Sequence, residues 1–136
     1  MPEVNAIGII AGTVVSFVSG FLWFGPATFF PTWWRLMGKG PADVPGGGIN
    51  MGVAFGSVLV GQALQVTVLA MILSALNLTA PLDGALLGLL IGVGIVGGSG
   101  LSHRIFAGHG FGVLLLEAGN DIVNLGLAGA ILVALR

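Results

Sequence analysis

Four apolar stretches, each about twenty residues or longer, constrain this chain more than any other feature of its sequence. They cover approximately residues 4–24, 52–76, 82–102 and 111–135. A helix needs about 20 apolar residues to cross the ~30 Å hydrocarbon core of a bilayer, and each stretch meets that length. We therefore predict an all-α membrane protein, a four-transmembrane-helix bundle that forms a single domain over residues 1–136.

The scarcity of charge leads to the same conclusion. Only 7% of the residues are charged and 56% are hydrophobic, against roughly 25% charged residues in an ordinary soluble domain. A soluble surface could not be covered by so few charges, whereas lipid requires no such cover. The net charge of −1 offers no basic surface for nucleic acid, and the absence of cysteine excludes disulfides and thiolate metal sites.

The basic residues predict an orientation in the membrane. Arg35 and Lys39 lie in the first loop and Arg104 lies in the third, while the second loop contains no basic residue. By the positive-inside rule, we expect a multi-pass inner-membrane protein with loops one and three in the cytoplasm and both termini in the periplasm. Arg136 at the C-terminal end favours the opposite orientation.

An aromatic segment follows the first helix. Three tryptophans and four phenylalanines lie within the 14 residues from position 21 to position 34. Because tryptophan favours the headgroup level of a bilayer, we predict a short helix or turn in the membrane interface over residues 31–38. Its expected interfacial anchors are Trp23, Trp33, Trp34 and Arg35. The alternative interpretation is an aromatic binding site.

Rows of small residues spaced by four predict close helix packing. Gly84, Gly88 and Gly92 form one row in the third helix, and Gly52 and Gly56 form another in the second. Residues four apart share a helix face, and small side chains let two backbones approach closely. The sequence does not say which rows serve the bundle and which, if any, serve a homo-oligomer.

A glycine motif in the third helix also matches the spacing of a dinucleotide-binding loop. Residues 92–97 spell GxGxxG, and Glu117 lies twenty residues after the last glycine. The motif sits within an apolar helix and lacks the βαβ context that nucleotide binding requires, so we do not interpret it as a nucleotide site. The glycines predict instead a loosened or kinked end of the third helix.

Polar side chains at membrane depth are the main candidates for a functional site. Asp121 lies near the middle of the fourth helix, where a carboxylate costs about 2.5–3.5 kcal/mol on insertion scales, so it should face the interior. Spacings of three and four, together with matched depths in helices one and two, predict one interior polar layer: Asp121, Glu117, Asn120, Asn124, Gln62, Gln65 and Ser16. Asp121 would be either a structural hydrogen-bonded residue or a titrating proton relay or cation site.

A second polar group is expected at the cytoplasmic mouth of helices three and four. It consists of His103, Arg104 and His109, and Arg104 is placed to pair with Glu117. Two histidines six residues apart across a glycine-rich loop are not typical metal ligands, so we expect polar anchors and predict no metal site and no cofactor. The sequence contains no nucleophile–base arrangement and no phosphate-binding loop, so no catalytic residue is assigned.

Several blocks of sequence recur together in one known family. They are Asn5, residues 20–26 (GFLWFGP), residues 33–38 (WWRLMG), residues 117–121 (EAGND), Gly126 and residues 129–132 (GAIL). With these blocks the chain resembles the DUF1761 family of bacterial membrane proteins of unknown function over most of its length. Phe24 stands where that family usually has tyrosine. The resemblance implies a four-helix membrane protein, and it brings no established activity and no catalytic residue.

Three functions remain open from the sequence. We favour a non-enzymatic accessory or structural subunit of a larger membrane complex or a homo-oligomer, because very short loops and flat glycine faces suit that role. The first alternative is binding or transport of a small molecule, a cation or a proton through the polar layer around Asp121. The second alternative is a membrane enzyme that uses Glu117 and Asp121.

Overall fold

Four helices long enough to cross a membrane form the protein, as a computed structural model that describes residues 3–136 shows. No strand occurs in that part of the chain. The third span is continuous from Pro81 to Phe106 but includes a π-helical turn at Gly92–Gly97. The α-helices are α1 (Ala6–Trp23), α2 (Phe30–Leu36), α3 (Met51–Ala75), α4 (Pro81–Ile91), α5 (Gly98–Phe106) and α6 (Gly110–Ala134).

These elements confirm the predicted all-α membrane fold. The largest difference lies at the end of the third span, which was expected near residue 102 and ends at Phe106. His103 and Arg104 continue the helix, because polar side chains at a membrane surface do not interrupt helical hydrogen bonding. The chain leaves the helix at Gly108, whose φ of +79° is a conformation that glycine adopts without strain.

Local signals in the sequence define where the spans begin. The side chain of Asn5 accepts a hydrogen bond from the Ile7 amide at 2.9 Å, and Asn50 accepts one from Gly52 at 2.8 Å. Asparagine at this position satisfies amide groups that the first helical turn leaves without partners. Pro81 begins α4, where its missing amide hydrogen costs nothing.

The last helix, α6, is the centre of the bundle. It packs against α1, α3 and both halves of the third span, and it has more buried residues than any other helix. The first and third spans run antiparallel to α6, as the pairs Gly8–Leu132 and Gly92–Ile122 show, whereas α3 runs parallel to it. The apolar core lies between α3 and α6, with these buried residues at its centre: Val66, Leu69, Leu73, Leu125, Ala128 and Leu132.

The glycine row of the third span packs directly on α6. A Cβ atom added at Gly88 would lie 2.0 Å from the carbonyl oxygen of Leu125, and one at Gly84 would lie 2.2 Å from that of Gly129. A Cβ atom at Gly92 would lie 2.8 Å from the Cα atom of Ile122. This row therefore serves packing inside the bundle, because the two backbones lie so close together that no side chain fits between them.

The second predicted row has no such partner. A Cβ atom at Gly56 would meet nothing within 4 Å, and one at Gly52 would meet only the Asn50 side chain that caps the same helix. Both glycines are exposed on the outside of α3. Gly52 and Gly56 therefore take no part in the helix packing that the structure describes.

The two ends of the bundle differ in composition. One end, which we call the loop end, carries α2 and the turn between α5 and α6. The other, the terminal end, brings both ends of the described chain together. There the Asn5 side chain donates to the Leu135 carbonyl, Ser74 donates to the Glu3 carbonyl at 2.8 Å, and Arg136 donates to the Leu78 carbonyl.

Candidate ligand-binding cavity

A cavity of about 760 Å³ lies in the bundle at its loop end. Residues of α1, α3, α5 and α6 line it, and residues from the connection between α1 and α3 complete its wall. Small-molecule sites in proteins commonly enclose about 300–1,000 Å³, so this cavity has the size of a ligand site. The space is open on one side, where Phe21 and Val58 of its lining are 62% and 51% exposed.

One wall of the cavity is aromatic, and its spacing in the sequence is regular. Phe17, Phe21 and Phe24 lie four and three residues apart on α1, so they share one face of that helix. Phe55 joins them from α3, where its ring lies 6.5 Å from that of Phe17 in an edge-on arrangement. Phe30 of α2 extends the same wall.

The aromatic segment after α1 folds back over the cavity. The chain reverses after Trp23, whose carbonyl accepts a hydrogen bond from the Phe29 amide at 3.1 Å. This reversal places Trp33 of α2 in the cavity wall, 5.5 Å from the Phe24 ring. Leu36 fixes the other end of α2, because it fills the space beside Gly112 of α6.

The three indole groups of this segment form hydrogen bonds within the protein. Their acceptors are the Leu116 carbonyl for Trp23 at 3.0 Å, the Glu117 carboxylate for Trp33 at 3.3 Å, and the Gly40 carbonyl for Trp34 at 3.1 Å. Arg35 is exposed. Anchoring of these residues in the membrane interface stays a prediction. The alternative interpretation, an aromatic binding site, is supported by the position of Trp33 in the cavity wall.

An ion pair closes the loop end of the cavity. Arg104 of α5 contacts both carboxylate oxygens of Glu117 on α6, with Nε–Oε1 and Nη2–Oε2 distances of 2.5 and 2.7 Å. The third guanidinium nitrogen lies 3.2 Å from Nδ1 of His109. The structure thus confirms the predicted contact between Arg104 and Glu117. Because Arg104 and Trp33 occupy the carboxylate, this geometry favours a structural role for Glu117 over an enzymatic one.

Five members of the predicted polar layer line the cavity: Ser16, Gln62, Asn120, Asp121 and the ion-paired Glu117. The first three are more than nine-tenths buried, and Asp121 is half-buried. Gly20 lies beside Asn120, because a Cβ atom there would be 3.4 Å from the Asn120 amide nitrogen, in ordinary van der Waals contact. No hydrogen bond reaches the Asp121 carboxyl group from any residue between 3 and 136.

Two members of the predicted layer lie elsewhere. Gln65 and Asn124 do not line the cavity, and the structure places them nearer the terminal end of the bundle. Asn124 is 1% exposed, and its backbone carbonyl accepts a 3.5 Å hydrogen bond from Ser16. Within residues 3–136, its amide side chain has no partner, nor does Oε1 of Gln65. Ser16 therefore connects Asn124 to the polar residues of the cavity wall, and helix rotation as well as depth decides which side chains line the cavity.

The two histidines of the predicted cytoplasmic mouth lie in different places relative to the cavity. His103 lines the cavity beside Arg104, whereas His109 contacts Arg104 from the turn before α6. Among residues 3–136, no group of three or more histidine, aspartate or glutamate side chains is placed to hold a metal ion.

The sequence did not indicate the walls contributed by α3 and by the loop. Val58, Phe55 and Met51 line the cavity from α3, and Pro45 and Gly46 line it from the loop. The only signal that could have found part of the wall is the spacing of Phe17, Phe21 and Phe24 on one face. Nothing in an apolar helix such as α3 distinguishes a side chain that faces a cavity from one that faces lipid.

Comparisons with known proteins cover almost the whole chain but assign no activity. A family model described as "Protein of unknown function (DUF1761)" matches residues 7–133. That range includes every residue that lines the cavity. A search of curated proteins and a search of solved structures each gave no match.

Proposed function

The chain belongs to the DUF1761 family of proteins of unknown function, and we propose from its geometry that it binds a small amphipathic molecule inside the membrane bundle. The observation that carries this proposal is the cavity of about 760 Å³ with one aromatic wall and one polar wall. Sites for small molecules are mostly apolar and contain a few convergent polar groups that fix the orientation of the ligand. The polar wall here supplies Ser16, Gln62, Asn120 and Asp121.

The position of Asp121 supports a binding role. It lines the cavity, and no residue between 3 and 136 donates a hydrogen bond to its carboxyl group. A carboxylate at membrane depth costs about 2.5–3.5 kcal/mol on insertion scales, and an apolar side chain at position 121 would avoid that cost if the residue served only to hold helices together. We therefore infer that Asp121 is a partner for a molecule that occupies the cavity.

The packing of the helices supports access from the bilayer. Both α3 and α5 line the cavity, yet they form no packed interface with one another. We propose that the molecule enters between these two helices, because an amphipathic compound is concentrated in the membrane around them. The sequence supports an orientation in which the loop end faces the cytoplasm, since Arg35, Lys39 and Arg104 all lie at that end.

A neutral probe tests the proposal without assuming the chemistry of the natural ligand. We expect 3,3-diphenylpropan-1-ol to bind the protein in lipid nanodiscs, as measured by isothermal titration calorimetry with empty nanodiscs subtracted. Val58→Trp fills part of the cavity from α3 and should weaken binding by about tenfold or more, which corresponds to about 1.4 kcal/mol.

The matched control is Val60→Trp, two residues away on the same helix. Val60 is 60% exposed and does not line the cavity, so the same substitution there should leave the affinity within about twofold. The proposal is wrong if the probe does not bind, or if both tryptophan variants weaken binding equally.

A role as a structural subunit of a homo-oligomer or a larger membrane complex is the second candidate function. The observation that favours it is the outward glycine row of α3, because Gly56 has open space around it on the outside of the bundle. Such a row permits close approach of another helix. Disulfide cross-linking through a cysteine at position 56 tests this role.

A further inference from the structure

The charges that line the cavity leave one carboxyl group without a cationic partner. The ionisable side chains in its wall are His103, Arg104, Glu117 and Asp121. Arg104 and Glu117 form the ion pair, and no other ion pair occurs among residues 3–136. With neutral histidine and ionised carboxylates, the wall therefore carries one net negative charge, at Asp121.

Arg104 is not available to a ligand. Its Nε and Nη2 atoms contact Glu117, and its Nη1 atom lies 3.2 Å from the His109 ring. An anionic ligand would find the Arg104 guanidinium already paired with Glu117, and a second carboxyl group, Asp121, in the same wall. The charges of the wall therefore favour a cation over a carboxylate or phosphate compound.

One acceptor of the polar wall has no donor from the protein. Asp121 lines the cavity, and no residue between 3 and 136 donates a hydrogen bond to its carboxyl group. A carboxyl group without a donor favours a ligand that supplies N–H or O–H groups.

The opposite wall suits a positive charge on an apolar body. Aromatic faces attract cations within about 6 Å of the ring centre, and the wall contains five phenylalanines and Trp33. A bare metal ion would occupy only a small part of about 760 Å³ and would need several oxygen ligands close together. An organic cation fills such a space, because its apolar part contacts the rings while its charge meets the carboxyl group.

We infer that the cavity binds an organic amine in its ammonium form, whose N–H groups are held by Asp121 while its apolar part lies against the aromatic wall. This inference rests on the proposed function, since it names the class of molecule that the same cavity accepts. In this inference Asp121 binds the ammonium group, and the Arg104–Glu117 pair is a structural part of the cavity wall.

Three probes that share one apolar body test the inference in lipid nanodiscs. They are 3,3-diphenylpropan-1-ol, 3,3-diphenylpropylamine, and the N,N,N-trimethyl derivative of that amine. We expect the primary amine to bind at least about tenfold more tightly than the alcohol. The trimethyl derivative should bind more weakly than the primary amine, because it carries the charge but has no N–H group for Asp121.

Asp121→Asn removes the charge with little change of shape and should reduce the preference for amine over alcohol to within about twofold. The matched control is Asp83→Asn, which removes one carboxylate from the first turn of α4, outside the cavity. That variant should keep the full preference. The comparison of the three probes on the unmodified protein still stands if the Asp121 variant does not fold.

The outcomes distinguish amine recognition from the proposed binding of a small amphipathic molecule. If the alcohol binds but the amine binds no more tightly, the amine assignment is overturned and the binding cavity stands. If the trimethyl derivative binds as tightly as the primary amine, recognition by N–H donation to Asp121 is wrong. If none of the three binds, the proposed function itself fails. Loss of the preference in Asp83→Asn would show that general charge, not the cavity, attracts the amine.

Discussion

At the scale of single residues, the loop end of the cavity depends on how one carboxylate is held. Glu117 sits near the beginning of α6 with the guanidinium of Arg104 on both oxygens and the Trp33 indole on one. These groups come from three separate elements, α2, α5 and α6. Their contact therefore fixes the positions of three elements relative to one another, which no pair within one helix would do.

Arg104→Met should destabilise the protein. It leaves Glu117 with one indole donor and no counter-charge, and losing one partner of a fully buried pair costs about 3–5 kcal/mol. The two side chains here are 30% and 23% exposed, so we expect a smaller loss in the free energy of unfolding, about 1–3 kcal/mol. Unfolding by sodium dodecyl sulfate in mixed micelles measures the change.

The double variant Arg104→Met with Glu117→Gln provides the control for that prediction. With the charge also removed from position 117, part of the lost stability should return, so the double variant should be more stable than the sum of the single effects. Strictly additive effects would show that the two side chains do not interact in the folded protein.

At the scale of helices, the sequence predicted the existence of close packing but not its partners. Gly84, Gly88 and Gly92 predicted one flat helix face, and the structure places α6 against it. A row of glycines indicates only that another backbone can approach the helix closely. Which backbone comes near depends on the side chains of all four spans together, so the choice of α6 could not be read from the row itself.

The same limit explains the aromatic segment. Its composition predicted a short helix beside the membrane surface, and α2 occupies residues 30–36 as expected. Its return over the cavity depends on contacts with α6, such as Leu36 beside Gly112, that lie far away in the sequence. Trp33 could therefore be recognised as aromatic and near the interface, but not as part of a cavity wall.

Substitution of two glycines by alanine separates the two rows. Gly88→Ala would place a methyl group against the Leu125 carbonyl, and overpacking of this kind costs typically 1–3 kcal/mol and occasionally more. Gly56→Ala adds the same methyl group where nothing lies within 4 Å, so it should be neutral or slightly stabilising. Midpoints of unfolding in mild detergent compare the two. Equal midpoints would contradict the packing described for α4 and α6.

At the scale of the whole molecule, the polar groups are concentrated on one side of the central helix. The glycine face of α6 meets the third span, while its polar face meets α1 and α3. Membrane depth could be derived from the sequence, and the structure places Asp121, Gln62 and Ser16 in the wall of one cavity. Helix rotation could not be derived, because the spans are apolar on nearly every side, so the sequence did not show that Gln65 and Asn124 lie outside that wall.

Disulfide cross-linking tests whether a second copy covers the outside of α3. The chain contains no cysteine, so a single Gly56→Cys variant carries the only thiol. If copies associate through this row, mild oxidation in native membranes should give a covalent dimer. Leu90→Cys is the control, because Leu90 is 68% exposed on a different helix and should remain monomeric. An absent dimer at position 56, or equal cross-linking at position 90, would exclude association through this face.

The central place of α6 also has a consequence for biosynthesis. The other three spans are translated before α6, yet each of them packs on it. Until it emerges from the ribosome, α1 and α3 can pack on one another, but the glycine face of the third span lacks the helix that covers it. The apolar core between α3 and α6 and the close packing of the third span therefore form only after the final span is made. A chain interrupted before α6 would lack both.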